Sequence, residues 1–405
     1  MIHIIAQKAV FGGDCIGKIN GKTVFIGSAA GVLPGEELEV EIVLSKKDYD
    51  KAAVKKIVKT SPHRTQPFCP HYGLCGGCNF QYASYAYQLE LKKNIAQDLL
   101  VRSLGNEGAM PQIQIVSGPD TEYRSRFQFH SGGLKQRKSD DIVRLKDCPC
   151  AVKPLRTLLQ SGALAAKKVL NTERMTVFAD ERLIGGTKEA ASSKIVCASD
   201  ASPVCTISLN GKCLSFDVRG FFQSNMHMLE KTLPLITKDL RGKRLLDMYG
   251  GTGVLSLFAA ENFESVTIVE SDKRSLSFAE TNYRNNGIHC KLNTYTMRGS
   301  EWAQKHLKQG RQKSASFENR LETEHFDALI IDPPRTGIEK EVIDYIAASK
   351  PPIIRSLSCD PATHARDLKR LVQAGYTITD FRMLDFYPHT SHMESLACLI
   401  YSGNR

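Results

Sequence analysis

Residues 244–257 read RLLDMYGGTGVLSL. An apolar run ending at Asp247 passes into a turn holding Gly250, Gly251 and Gly253, and the apolar pattern then resumes at helical spacing. A strand, a glycine turn and a helix in that order set bare backbone at the carboxyl edge of a parallel sheet, where a ligand can approach closely because no Cβ stands in the way. Taken alone, the loop suits a dinucleotide as well as any other nucleoside cofactor.

The strands that follow narrow the choice. SVTIVES (265–271) ends at Glu270, at the distance downstream where a carboxylate accepts hydrogen bonds from ribose hydroxyls. FDALIIDPPRTG (326–337) ends at Asp332, with two prolines fixing the loop beyond it. That Asp-Pro-Pro-Arg strand end favours S-adenosylmethionine over a dinucleotide. IIRSLSC (353–359) reads as a further strand delivering Cys359 to the same edge, and LDFYPHTSHMESLACLIY (384–401) sets Glu394 just before another. Alone, such a cysteine is core and such a glutamate is solvated; together they stand at a ligand-binding edge. Strand and helix patterns alternate from 216 to 405, predicting a doubly wound, Rossmann-like α/β domain.

Upstream, two further zones are expected. Residues 1–60 alternate polar and apolar positions around turn signals, as a small OB-like β-barrel does, and the lysine-rich SKKDYDKAAVKKIVK (45–59) suits RNA. Residues 61–215 carry short β patterns and SYAYQLELKKNIAQDLLVRSL (84–104), an amphipathic helix suited to packing on another domain. A chain of 405 residues is long enough for two or three cores, and its net charge of +11 favours an anionic partner. No run is long and apolar enough to span a bilayer, and the first residues lack the order of a signal peptide, so the chain reads as cytoplasmic with no membrane role.

Twelve cysteines are many for a reducing compartment, and their spacing points to metal rather than disulfides. FCPHYGLCGGC (68–78) can aim Cys69, Cys75 and Cys78 at one centre, with Cys148 or Cys150 of KDCPC (146–150) as a fourth donor. Four thiolates suit a [4Fe-4S] cluster or a structural zinc alike.

These motifs together give the chain its resemblance to a known family. GKTVFIGSAAGVLPGEELEVEIV (21–43), CPHYGLCGGCNFQ (69–81), FFQSN (221–225), DMYGGTG, IIDPPRTG, SCDPATHARDL (358–368) and FYPHTSHMES (386–395) resemble the RNA uracil-5 methyltransferases, specifically the ribosomal RNA type with a TRAM domain and an iron-sulfur cluster. The likeness covers nearly the whole chain. It implies that Cys359 is the nucleophile, Glu394 the base, and Gln223, Tyr249, Glu270 and Asp332 the contacts to S-adenosylmethionine. It also implies a [4Fe-4S] cluster on Cys69, Cys75, Cys78 and Cys148, since the family's fourth cysteine precedes a proline. The expected organisation is a TRAM barrel over 1–60, an iron-sulfur and RNA-binding domain over 61–215, and the methyltransferase domain over 216–405. The expected partner is RNA, 23S ribosomal RNA in particular, and a monomer is expected.

Two departures stand out. Gly250 occupies a position where the family more often has cysteine, and Asp360 follows the nucleophile where asparagine is common; a carboxylate pointing inward there would raise the Cys359 pKa. EYRSRFQFH (122–130), with Tyr123, Arg124 and Arg126, is a candidate RNA contact, and the basic, polar KHLKQGRQKSASFENRLETEH (305–325) reads as a mobile solvated insertion.

The readings in competition are a transfer-RNA uracil-5 methyltransferase, which would share every catalytic residue, an amino-methylating enzyme, which needs no thiol, and a noncatalytic RNA-binding protein. Protein prepared without oxygen is expected to contain iron and sulfide; stoichiometric zinc and no iron would overturn the cluster assignment.

Overall fold

The computed structural model describes residues 2–27, 31–105, 111–162, 173–185, 194–314 and 325–403. Its N-terminal part is all β: β1 (Ile2–Ile5), β2 (Lys8–Ala9), β3 (Cys15–Ile19), β4 (Lys22–Gly27), β5 (Glu37–Ser45) and β6 (Tyr49–Lys59). They form one sheet in the order β1-β5-β6-β4-β3-β2. Period-two alternation does the sorting, for in β5 Leu38 and Val40 are fully buried while the intervening glutamates face outward. The sheet curls on itself: a Cβ on Gly17 of β3 would lie 2.6 Å from the Ile5 carbonyl oxygen of β1. Glu36, wholly buried, locks this unit to the segment that follows. Its carboxylate accepts from the Leu33 and Ser61 amides and from Arg64 Nε (2.6 Å) and a second Arg64 nitrogen (2.8 Å).

The amphipathic pattern of 84–104 becomes α1 (Tyr85–Leu104), whose buried face carries Leu91, Ile95, Ala96, Leu100 and Leu104. After it β7 (Ile113–Val116) leaves the central region altogether and joins the C-terminal sheet. The central residues then form short strands, β8 (Arg126–Phe129), β9 (Leu134–Lys135) and β10 (Ile142–Val143), the helix α2 (Lys153–Gln160), and β11 (Met175–Ala179), β12 (Leu183–Gly185), β13 (Ile195–Cys197), β14 (Val204–Leu209) and β15 (Lys212–Asp217). These pair into two three-stranded sheets, β13-β11-β8 and β12-β14-β15, and the small β10-β9 ribbon.

The C-terminal part alternates as expected: α3 (Met226–Thr237), β16 (Gly242–Met248), α4 (Val254–Leu257), β17 (Phe263–Glu270), α5 (Lys273–Asn285), β18 (Lys291–Thr296), α6 (Gly299–Ser314), β19 (Ala328–Ile331), α7 (Lys340–Ser349), β20 (Ile353–Ser358), α8 (Pro361–Gln373), β21 (Tyr376–Leu384) and β22 (Glu394–Tyr401). The eight strands run β18-β17-β16-β19-β20-β22-β21-β7. β16 to β20 run parallel with one another, and β22 is antiparallel to both β20 and β21. β19 is apolar and buried along its length, as a strand covered on both faces must be. The strand order reverses between β16 and β19, which opens the crevice where open α/β sheets bind ligands.

The insertion at 305–325 is corrected in part. Residues up to Ser314 continue α6, because Trp302 on its first turns is fully buried against Tyr345 and stacked on His306; residues 315–324 lie outside the described residues. Among the described residues no helix is long and apolar enough to cross a membrane.

One charge sits inside the apolar face of α1. Lys92 has no exposed side-chain surface, and its Nζ lies 2.5 Å from Asp385, equally buried. Removing one member strands the other's charge, at a cost of about 3–5 kcal/mol. Lys92→Met is therefore expected to lower stability by that amount, and adding Asp385→Leu to recover most of it. Urea unfolding followed by the fluorescence of Trp302, the sole tryptophan, buried between α6 and α7, checks this.

Candidate active site

The glycine turn is held from two sides. A Cβ on Gly250 would lie 2.6 Å from Ile268 Cγ2 and 2.9 Å from Asp247 Oδ2, so the loop lies directly over the end of β16. The Gly251 amide donates to Glu270 Oε2 at 3.0 Å, and the Asp272 amide to Glu270 Oε1 at 2.7 Å. Glu270 thus anchors the loop as well as ending its strand. Tyr249 sits at φ +62°, a backbone state costly for a bulky residue, and its hydroxyl donates to Glu339 Oε2 at 3.1 Å.

Asp247 beneath this loop, and Gln223, carry buried polar atoms without close partners. Both carboxylate oxygens of Asp247 and Oε1 of Gln223 are buried without a hydrogen bond of ordinary geometry, the Ser256 hydroxyl and amide coming near enough to Asp247 only to draw its pKa down in part. Burial pushes the Asp247 carboxyl up to about 7 and the Asp332 carboxyl up to about 6. Buried, unsatisfied acceptors near a topological switch point fit a ligand that brings positive charge and N–H donors. S-adenosylmethionine, with its sulfonium and ammonium groups, is such a ligand. Asp247 was not among the site residues expected from sequence, where it reads only as the end of an apolar strand; its lack of a close partner is visible only once the strand is packed.

Cys359 and Glu394 come together through strand direction. β20 runs toward the carboxyl edge and β22 starts there, with Ser358 opposite Ser395, so continuing that register sets Cys359 opposite Glu394. His364, neutral because burial pulls its pKa down to about 3, ties the two strands: its ring nitrogens lie 3.1 Å from Ser356 Oγ and 2.6 Å from Ser395 Oγ. Burial also pushes Glu394 up to about 8, helped by the Asp332 carboxylate. The Cys359 thiol is raised by burial first and then by the Glu394 and Asp332 charges, while Arg335 pulls the other way through charge and a hydrogen bond. Asp360 does not add to this. It is the N-cap of α8, accepting from the Ala362 amide at 3.0 Å and the Thr363 amide at 2.9 Å, so its carboxylate serves the helix.

The segment carrying Gln223 is tied to the same edge, since Asn225 Nδ2 donates to the Phe386 carbonyl at 3.1 Å. Tyr123, a candidate RNA contact, is instead buried, and its hydroxyl donates to the Pro388 carbonyl at 2.9 Å. Arg126 is engaged with the Gly220 carbonyl at 2.8 Å.

Cys69, Cys75, Cys78 and Cys148 line one small pocket together with Cys150, Tyr72, Tyr123 and Arg124. Cys78 and Cys150 have sulfurs 3.9 Å apart. The donor set, thiols from two distant segments, is that of a cluster or zinc site. As the side chains stand, however, no three His, Cys, Asp or Glu residues among those described are arranged to hold a metal ion.

Residues 167–401 match the family model described as tRNA (uracil-5-)-methyltransferase. The chain is 36% identical over 423 residues to an uncharacterized RNA methyltransferase of Treponema denticola, covering 96% of each. It is 30% identical to the 23S rRNA (uracil(1939)-C(5))-methyltransferase RlmD of Edwardsiella ictaluri, covering 95% of this chain and 92% of that one. Among solved structures, the Pyrococcus abyssi tRNA (uracil-54, C5)-methyltransferase in complex with S-adenosyl-L-homocysteine superposes with a TM-score of 0.68 at 22% identity, over 98% of this chain and 100% of that one.

The buried carboxylates fix a pH dependence. Unfolded carboxyls titrate near pH 4, so from about pH 4 to about pH 8 the folded chain binds more protons at Asp247, Asp332 and Glu394 than the unfolded chain does. Stability of the free protein is therefore expected to fall as pH rises through that window. Asp247→Asn should flatten part of the slope while weakening S-adenosylmethionine binding about tenfold, the loss of one charge-assisted contact. Melting temperatures from pH 5 to 8 with and without the cofactor check both, and unchanged affinity would remove Asp247 from the site.

Proposed function

Given that the chain belongs to the RNA uracil-5 methyltransferase family and is an S-adenosylmethionine-dependent enzyme, we propose that it methylates C5 of a uridine in 23S ribosomal RNA through a covalent adduct on Cys359. The observation that carries this reading is the placing of Cys359 and Glu394 at the adjoining ends of β20 and β22, near enough for the Glu394 charge to act on the thiol. Full-length likeness to the RlmD enzymes supports the ribosomal substrate.

The residue types answer to the chemistry. C5 of uracil is a weak nucleophile until a group adds at C6, and a thiolate both adds and leaves readily. Cys359 adds at C6, and electron density passes to C5. S-adenosylmethionine supplies an electrophilic methyl group whose leaving group is a neutral thioether. Glu394 then takes the C5 proton, the C5–C6 double bond re-forms, and Cys359 is expelled as thiolate. Gln223, Tyr249, Glu270 and Asp332, with Asp247 beneath the loop, bind and orient the cofactor, while Arg335 offsets the acidic surroundings that hold the thiol protonated. Because a stacked uracil cannot reach this crevice, the nucleotide is flipped out.

Residues 1–60 are proposed as an RNA-gripping TRAM module and 61–215 as the iron-sulfur region. Its Cys69, Cys75, Cys78 and Cys148 would hold a [4Fe-4S] cluster that orders the RNA-binding surface and takes no part in redox chemistry.

Two variants separate the steps. Cys359→Ala should abolish methylation and adduct while S-adenosylmethionine still binds. Glu394→Gln should add and methylate but stall, leaving protein covalently attached to methylated RNA as a slow band on a denaturing gel. Methylation at uridine C5 by Cys359→Ala would sink the covalent mechanism. For the substrate, 23S ribosomal RNA and transfer RNA from a strain lacking the gene should be compared as methyl acceptors; labelling of transfer RNA alone would reassign it.

A further inference from the structure

The connection between β21 and β22 is clamped at its start. Asp385 accepts from Lys92 Nζ at 2.5 Å and from the Tyr85 hydroxyl at 2.8 Å. Lys92 Nζ also donates to the Tyr387 carbonyl at 2.9 Å, and Thr390 Oγ1 donates to the same oxygen at 2.8 Å. With Asn225 on the Phe386 carbonyl and Tyr123 on the Pro388 carbonyl, side chains from three separate segments hold the backbone on either side of Tyr387. From this held backbone the ring reaches the base, and its hydroxyl donates to Glu394 Oε1 at 3.2 Å. Among the described residues this is the one hydrogen bond recorded to the Glu394 side chain.

We propose that Tyr387 is a positioning residue for Glu394: its hydroxyl holds Oε1 and leaves Oε2 to receive the C5 proton. The proposal rests on the covalent methyl-transfer reading of the same pocket. The groups facing Glu394 are the Asp332 carboxylate at the end of β19, the Cys359 thiol at the end of β20 and Tyr387, with Arg335 beside Cys359 and the charge of Arg124 reaching Tyr387. Burial and Asp332 both favour the protonated acid, which cannot accept a proton; the Tyr387 hydroxyl opposes them. The phenol itself is held well above its ordinary pKa by burial, so it donates a hydrogen bond and keeps its proton. In the step concerned, the C5 proton passes to Glu394 Oε2, the electrons of the C5–H bond form the C5–C6 double bond, and the C6–S bond breaks with its pair on Cys359.

The proton step can be read apart from methyl transfer. With unmodified 23S ribosomal RNA carrying tritium at uridine C5 and methyl-labelled S-adenosylmethionine, single-turnover methyl incorporation reports Cys359 addition and transfer, while tritium release reports Glu394. For Tyr387→Phe, methyl incorporation and cofactor affinity should stay within about twofold of wild type. Tritium release near neutral pH should slow about tenfold, its pH midpoint moving up by about one unit and its rate recovering in alkaline buffer, as loss of one hydrogen bond to a carboxylate requires. Installing 3-fluorotyrosine at position 387, a stronger donor of the same shape, should restore release and move the midpoint below that of wild type. An unshifted midpoint in Tyr387→Phe would overturn the proposal; should that variant fail to fold, an unshifted midpoint in the fluorotyrosine protein would overturn it equally. Failure of the underlying reading looks different: wild-type protein would transfer no methyl, or Cys359→Ala would still transfer it.

Discussion

An ammonium and a carboxylate taken wholly out of water tie α1 to the connection between β21 and β22. Lys92 and Asp385 each have no exposed side-chain surface, and leaving water costs several kcal/mol per ion unless the partner and further hydrogen bonds make it good. Here they do, through the Tyr85 hydroxyl and the Tyr387 carbonyl. The pair joins α1, distant in sequence, to the connection that precedes β22. A hydrophobic replacement could match it in stability, yet it would not direct the backbone at 385–388 in the same way. The position of the base is therefore linked, through Tyr387, to a contact outside the reacting pair.

Within a chain of net charge +11, the crevice is acidic. Asp247, Glu270, Asp332 and Glu394 converge there, and burial raises three of them toward or above neutrality. Such crowding is unfavourable for an empty site and suits a cationic cofactor, whose arrival supplies the missing charge and donors. Basic residues elsewhere provide long-range attraction for RNA.

Several local readings failed for tertiary reasons. The charge pattern of 305–314 looks solvated, but Trp302, one turn earlier, is buried and draws the helix along with it. Tyr123 lies in a basic, aromatic stretch that resembles an RNA contact, yet its ring is inside because the Pro388 carbonyl offers its hydroxyl a partner. Asp360 threatens the nucleophile in a linear reading and turns out to cap α8.

Period and turn chemistry act over a few residues, so the strand ends at Asp247, Glu270, Asp332 and Cys359, the glycine turn, and the all-β character of residues 2–59 were legible in the chain itself. Strand order and direction were not, since they depend on contacts between segments hundreds of residues apart. The antiparallel course of β22 brings Glu394 to Cys359, the parallel addition of β7 draws α1 onto the sheet, and the clamp around 385–388 leaves the Tyr387 hydroxyl on Glu394. A hydrogen-bond acceptor without a close donor, like Asp247, or a charge without water, like Lys92, acquires that status only on packing. Chemistry was thus written locally, and the geometry that sets its pKa values came from the assembled sheet.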